Sequence, residues 1–451
     1  MNRHSSTEKQ SVRALAFSAI QRIEADKAYT DIVLSHLFSG DLSHRDKAFL
    51  SELVRGTIRW KKNLDWIVDQ LLRTSNKVPE QLRWILWLGL YQIRLMSRVP
   101  NFAAVNESVT LAKKFVGQKW AGVVNGVLRS FIRNPTGIKY PSMNSNPVKS
   151  LALRKSYPEW LIRRWINQLG IEETQQLCDA FNEAPSLSVR INSLQTNAET
   201  FEDLLHKRKI EYKKSIVRDF YVLKKLPFDL QTELLDAGLI TIQDESAGLP
   251  GLLLAPKPGE IIFDLCAAPG GKSFHAAELA NDSARIVSGD INISRIDLLK
   301  KTKMRLGIHS VQLIAADAKH FPAASADKVL LDAPCSGLGV MRKKPDLRWR
   351  KSEEGIRELV FLQRKLLKEA ARLLKPGGHL IYSTCTMAPE ENENMIHEFL
   401  QNNPQFETPS TLNRFIPQVV TSDGFIKTWP HRHNMDGSFA AIMVKKQESE
   451  R

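Results

Sequence analysis

Val12, Leu15, Ala16, Ala19, Ile20 and Ile23 recur at i, i+3 and i+4, which predicts a helix with one apolar face. A second stripe of this kind runs through Phe49, Leu53 and Ile58. Further helices are predicted at about residues 64–72, 81–96, 105–115 and 121–131, and strand-like alternation is lacking throughout. The pattern then breaks. Asn134-Pro-Thr-Gly137 and Pro141-Ser-Met-Asn-Ser-Asn-Pro147 are rich in turn formers and predict a linker. A helix over 159–168, alternation over 187–191, a helix over 199–207 and a strand near 221–223 predict a small α+β unit.

From about residue 240 the pattern becomes strand, glycine-containing turn, helix, repeated. Strands are expected at 261–265, 285–289, 311–315, 328–331 and 379–383, with helices to about 280, over 294–306 and over 354–374. The last helix stops at Lys375-Pro-Gly-Gly378. Alternation of this kind predicts a doubly wound, mostly parallel α/β sheet, which binds ligands beyond the strand C-termini at the switch point. The expected domains are therefore a helical one at 1–138, a small α+β one at 148–240 and a Rossmann-like one at 241–451.

A chain of 451 residues is too long for one core. Its 43% hydrophobic and 25% charged residues fit an ordinary globular protein. The most apolar window, 84–93, is too short to span a bilayer and is interrupted by Gly89 and Gln92. Residues 1–10 are polar, so no secretory signal is expected. Cys178, Cys266, Cys335 and Cys385 form no C-x-x-C pair, which points to reduced thiols in the cytoplasm. The net charge is +15, and residues 1–135 hold 21 basic against 11 acidic side chains. That concentration favours a nucleic acid partner, because neutralised phosphates release condensed counterions.

The turn after the first parallel strand reads Asp264-Leu-Cys-Ala-Ala-Pro-Gly-Gly-Lys-Ser273. A phosphate loop ending at Gly271-Lys272-Ser273 would need glycine at 266, and the residue there is Cys266. The G-x-G-x-x-G dinucleotide pattern is missing as well. What remains is a small-residue turn, Cys266, Ala267, Ala268, Pro269, Gly270, Gly271 and Lys272, that lets backbone approach a nucleoside without a pyrophosphate. Asp290, 26 residues after Asp264, ends the second strand and could accept from a ribose diol. Asp317 follows the third strand and could accept from an adenine amino group.

Two cysteines fall just past neighbouring strand tips, in Leu331-Asp-Ala-Pro-Cys-Ser-Gly337 and Ser383-Thr-Cys-Thr386. A thiolate adding to C6 of a cytosine makes C5 nucleophilic enough to take a methyl group from a sulfonium. Nearby Lys or Arg would lower the thiol pKa, and Asp332 could contact the N3/N4 edge as charge develops. Spacing leaves open which cysteine attacks.

Asp264 to Lys272, Asp332-Ala-Pro-Cys-Ser-Gly337 and Ser383-Thr-Cys385 resemble motifs of the RsmB/Nop2/Sun family of RNA cytosine-C5 methyltransferases. So do Arg190-Ile-Asn192, Gln243-Asp-Glu-Ser246, Lys344-Pro-Asp-Leu-Arg-Trp349, Pro389-Glu-Glu-Asn392 and Pro430-His-Arg-His-Asn-Met-Asp-Gly437. The likeness spans roughly residues 151–446, with Ser273 and Ser438 standing where Thr and Phe are commoner. Asn106-Glu-Ser-Val-Thr-Leu-Ala-Lys113 and Val124-Asn-Gly-Val-Leu128 resemble the NusB fold. The resemblance implies a class I methyltransferase domain, an RRM-like middle unit, S-adenosyl-L-methionine as cofactor and 16S ribosomal RNA as substrate. It further implies Cys385 as nucleophile, Cys335 as the group assisting release, and Asp332 beside them. A non-catalytic RNA-binding factor and a DNA cytosine methyltransferase are the competing readings. No long insertion separates Cys335 from Cys385, which disfavours the second.

Arg342-Lys-Lys344, Arg348 and Arg350, with Trp349 among them, predict a phosphate track with a stacking surface. The target base must leave its stack, so single-stranded or partly unfolded RNA is expected. His431 and His433 lack partners at metal-ligand spacing, so no metal is assigned, and a monomer is expected. Trp84, Trp87 and Trp120 fall in helical stripes and are expected in the core.

Overall fold

The computed structural model describes residues 11–72, 78–409 and 416–447. The polar stretch 1–10, read above as carrying no secretory signal, lies outside them. Among the described residues no helix is long and apolar enough to cross a membrane. The chain divides into two compact units: one runs to Asn182 and includes Lys343–Arg350, and the other holds Glu183–Arg342 and Lys351 onwards.

The first unit is helical. α1 (Val12–Glu24), α2 (Thr30–Phe38), α3 (His44–Leu71), α4 (Glu80–Leu95), α5 (Asn101–Phe115) and α6 (Ala121–Arg133) enclose one apolar core. Ser11 caps α1 by accepting from the Ala14 N–H at 3.3 Å, and Ser43 caps α3 by accepting from Asp46 N–H at 3.1 Å. The stripe at Phe49–Ile58 and the helix expected at 64–72 are one continuous helix. It passes through Gly56, where a Cβ would lie 2.0 Å from the Tyr91 ring, so glycine allows α4 to close on α3. Leu50, Leu53, Val54 and Ile58 are wholly buried, each contributing about 1.5–3 kcal/mol. Trp84 and Trp87 are buried and Trp120 packs against the same core.

Three further helices follow in this unit: α7 (Pro147–Lys155), α8 (Glu159–Leu169) and α9 (Ile171–Asn182). The pattern predicts only α8. Nine residues of α7 give too short a window for periodicity, and its start comes from the Asn146 cap on Lys149 N–H at 3.0 Å.

The expected phosphate track is not a solvent-facing one. Arg348 is 0% exposed, donates to Asn182 Oδ1 at 2.9 Å and Ser156 O at 3.2 Å, and lies over the Tyr157 ring. Burial lowers its pKa to about 10. Trp349 Nε1–H donates to Ile58 O at 2.8 Å, and Arg350 pairs with Asp346 and donates to Lys27 O at 2.7 Å. Arg342, in the second unit, is buried and donates to Asn434 Oδ1 at 3.0 Å. The carbonyls of Ser156 and Lys27, the side-chain amides of Asn182 and Asn434 and the Asp346 carboxylate supply these cations with acceptors that a sequence pattern does not reveal. Of these basic residues Lys344 alone is exposed.

The second unit holds two sheets. β1 (Leu187–Ile191), β2 (Tyr212–Lys214), β3 (Phe220–Leu223) and β4 (Ile240–Ile242) form an antiparallel sheet in the order β2-β3-β1-β4. α10 (Ala198–Lys207) and α11 (Phe228–Asp236) contribute Phe201, Leu205, Leu230 and Leu234 to its core.

After α12 (Leu249–Leu254) the predicted alternation follows. It consists of β5 (Ile261–Asp264), α13 (Gly271–Leu279), β6 (Arg285–Asp290), α14 (Ile293–Leu306), β7 (Val311–Ala315) and β8 (Ala326–Asp332). α15 (Leu347–Arg350) belongs to the first unit; α16 (Glu353–Arg372), β9 (Leu374–Thr384) and α17 (Glu393–Asn402) continue the second. β10 (Phe406–Glu407), β11 (Ile426–Thr428), α18 (Pro430–His433) and β12 (Ser438–Lys445) end it. The sheet order is β10-β12-β9-β8-β5-β6-β7, with β11 also on β12. β9-β8-β5-β6-β7 are parallel, and β12 joins β9 antiparallel. The chain starts this sheet at β5 and departs to both sides, so the switch point lies at the C-terminal ends of β5 and β8. β9 begins at Leu374, earlier than the pattern implies, because Lys375-Pro-Gly-Gly378 is taken into the strand.

A buried ion pair ties the two sheets. Arg190 of β1 is 0% exposed and meets Glu278 of α13 through Nε–Oε2 and Nη2–Oε1, both at 2.8 Å. Its Nη1 donates to Gly271 O at 2.8 Å and to Gln243 Oε1.

Candidate active site

The strand ends bring most of the expected residues to one place. Asp264 closes β5 in full burial; its Oδ2 accepts from Ser273 Oγ at 2.5 Å, while Oδ1 has no partner. Burial raises the Asp264 pKa to about 7, and the Ser273 hydrogen bond opposes the rise. The turn beyond it is pinned by Ala267 N–H to Gly289 O at 2.8 Å and Gly270 N–H to Ala267 O at 2.7 Å. Gly270 has φ +100°, and a Cβ there would meet the Phe274 ring at 2.2 Å, so the turn requires glycine on two counts.

Asp290, at the tip of β6, accepts from Asn292 N–H at 2.9 Å, and Asp317 accepts from Lys319 N–H at 2.9 Å. The Lys319 hydrogen bonds hold the Asp317 carboxyl below its ordinary range. Asp332, at the tip of β8, is gripped from both sides: Lys272 Nζ lies 2.5 Å from Oδ2 and Ser383 Oγ donates to Oδ1 at 2.7 Å. Burial works against the Lys272 charge, but Asp332 outweighs it and the pKa is raised.

Cys335 and Cys385 follow β8 and β9, and their sulfurs are 3.2 Å apart. The Cys385 N–H also donates to Cys335 Sγ at 3.3 Å. The Cys335 S–H donating to the Cys385 sulfur, then burial, holds the Cys335 thiol well above its ordinary pKa. A cavity of about 530 Å³ is lined by Cys266, Asp290, Asp317, Asp332, Cys335 and Cys385. Ala268 lines it too, whereas Ala267, Pro269, Gly271 and Lys272 line a neighbouring cavity of about 400 Å³. Asp332 borders both.

Residue pattern alone gave no task to Ser336, Gln363, Thr386, Glu391 or Asn392, which lie buried beside the two cysteines. The one available signal was the motif Pro389-Glu-Glu-Asn392.

Residues 251–444 match the family model for 16S rRNA methyltransferase RsmB/F. Over 446 residues the chain is 35% identical to the "Probable ribosomal RNA small subunit methyltransferase B" of Bacillus subtilis (strain 168), covering 97% of this chain and 99% of that one. The chain belongs to this methyltransferase family. The RsmB/F relative from Synechocystis sp. is 38% identical over 457 residues, covering 96% of this chain and 99% of its own length. The remaining modules of this RsmB/F member also match: residues 10–133 the NusB family and residues 157–225 the ferredoxin-like domain of RsmF/B-like methyltransferases. Among solved structures, that of PH0851 aligns with TM-score 0.76 and 28% identity over 96% of this chain and 97% of that one.

Proposed function

We propose that this protein methylates C5 of a cytosine in 16S ribosomal RNA with S-adenosyl-L-methionine, through a cysteine adduct at C6. The observation that carries the reading is the pair of sulfurs 3.2 Å apart in the same cavity as Asp290, Asp317 and Asp332. The residues fit the cofactor. In the larger cavity Asp290 suits a ribose diol and Asp317 an exocyclic amine, and Cys266 and Ala268 bring the small-residue turn to it, while Lys272 and Asp264, with its open acceptor Oδ1, border the neighbouring cavity. When bound there, the sulfonium supplies an electrophilic methyl group.

The chain's own residues do the rest. Cys385 as thiolate adds to C6, and the electron pair moves towards C5. Asp332, oriented by Lys272 and Ser383, meets the N3/N4 edge, where its carboxylate favours uptake of a proton at N3 that neutralises the negative charge brought by the thiolate. After methylation the C5 proton is lost to a base and the C6–sulfur bond breaks. Cys335, which holds its proton, donates to the departing sulfur and favours its expulsion. The cost of unstacking the base, a few kcal/mol, favours single-stranded or partly unfolded RNA.

Within this reading the modules are 1–138 for RNA binding, 148–240 as the RRM-like unit and 241–451 for methyl transfer, acting as a monomer in the cytoplasm. Mapping 5-methylcytosine in 16S RNA after incubation with purified protein and cofactor tests it. Cofactor binding with no methylated cytosine in any form of that RNA would refute it. A pure RNA-binding factor would bind no cofactor.

A further inference from the structure

Cys335 and Cys385 sit on separate loops, and no covalent link sets their spacing. Beneath them Glu391 and Asn392 are both 0% exposed. Glu391 Oε1 accepts from the Ser336 N–H at 2.8 Å and from Gln363 Nε2 at 3.0 Å, and Oε2 accepts from the Ser336 hydroxyl. Gln363 Nε2 also donates to Pro334 O at 2.9 Å, so the residues on both sides of Cys335 are held. Asn392 does the same for the other loop: Oδ1 accepts from Thr384 Oγ1 at 2.6 Å and Nδ2 donates to Thr386 O at 3.0 Å. These are the neighbours of Cys385. The Ser336 and Thr386 hydroxyls meet at 2.7 Å and join the two halves.

Among the described residues no cation pairs with Glu391. A buried carboxylate without a cation is costly unless its donors are fixed, whereas an apolar side chain would pack there at no such cost. What the carboxylate adds is geometry. We propose that Glu391 and Asn392 are positioning residues that clamp the neighbours of Cys335 and Cys385 and so set the distance between the two sulfurs. The proposal rests on the reading of these cysteines as the reacting pair, and it assigns a task to Pro389-Glu-Glu-Asn392.

The test compares Glu391→Ala, Asn392→Ala and the milder Ser336→Ala with the unmutated full chain. Diamide oxidises the two thiols to a disulfide and is itself reduced to the hydrazine, so the rate of Cys335–Cys385 cross-linking, identified by peptide mass spectrometry, reports sulfur proximity. A misplacement near 1 Å is expected to slow both cross-linking and kcat about 100-fold, with cofactor Kd within about twofold. Glu391→Gln keeps the shape and one acceptor, and its amide donates to the Ser336 hydroxyl, so it recovers most of both rates. Wild-type cross-linking in the alanine variants overturns the clamp, as does a fall in kcat without slower cross-linking. Equal loss of cofactor affinity also overturns it, since it marks collapse of the domain. Failure of the unmutated protein to methylate RNA sinks the assigned reaction instead, while the cross-linking rates still decide the clamp.

Discussion

Arg190→Met removes the cation of the buried pair and leaves Glu278, 2% exposed, without its partner. Burial already pushes the Glu278 pKa up, and Arg190 is the largest influence holding it down. Breaking one side of such a pair costs about 3–5 kcal/mol, because a charge stays buried uncompensated. Two acceptors, Gly271 O and Gln243 Oε1, also lose a donor. The assay is native-state hydrogen exchange of the α13 amides, where this loss reads as about 150- to 5,000-fold less protection. Glu278→Leu alone should be similarly harmful, since it leaves the guanidinium buried. The double variant should cost only about 1–3 kcal/mol, for the Gly271 and Gln243 acceptors that lose their donor, because the charge penalty is gone. A double variant costing the sum of the two singles would refute the reasoning, since the pair would then carry no coupling.

The catalytic reading gives two more expectations. Cys385→Ala should abolish methyl transfer with cofactor Kd near normal, and full activity would defeat the nucleophile assignment. Cys335→Ala should let a protein–RNA adduct accumulate on denaturing gels, and its absence would count against the release role. The remaining expectation concerns pH. Asp264 has a folded pKa of about 7 against an ordinary 3.8, so the native state keeps a proton that the unfolded state releases. Stability from this group is therefore full below about pH 4 and declines as pH rises to about 7, by at most about 4 kcal/mol. Asp264→Asn should close that gap, gaining stability relative to wild type at pH 8 but not at pH 4. An equal difference in denaturation midpoint at both pH values would contradict it.

Much of the site is local in sequence. Asp264 to Lys272, Asp290, Asp317 and the loops at Asp332 and Ser383 each end or follow a strand, and a parallel sheet gathers strand ends at one edge whatever the detail elsewhere. Apolar periodicity likewise sufficed for α1, α5 and α6, because each buries one stripe, whereas α4 is buried on every face from Trp84 to Gln92 and shows in the sequence as a nearly unbroken apolar run. It failed at Arg348, Trp349 and Arg350, where charge suggests solvent and carbonyls of distant residues supply burial instead. It also left Glu391 without a task, since its partner Ser336 lies 55 residues away, and Asn392, whose partners Thr384 and Thr386 are near in sequence but polar, with no apolar period to show them.

The sequence by itself therefore determined the long helices of the first unit, the five parallel strands and the chemical groups, through periodicities of 3.6 and 2 residues and through motifs that are contiguous. Only the tertiary structure decided which groups share a cavity, the 3.2 Å between Cys335 and Cys385, and which charges are buried. Those depend on hydrogen bonds between residues far apart in the chain, and a one-dimensional pattern contains no term for them.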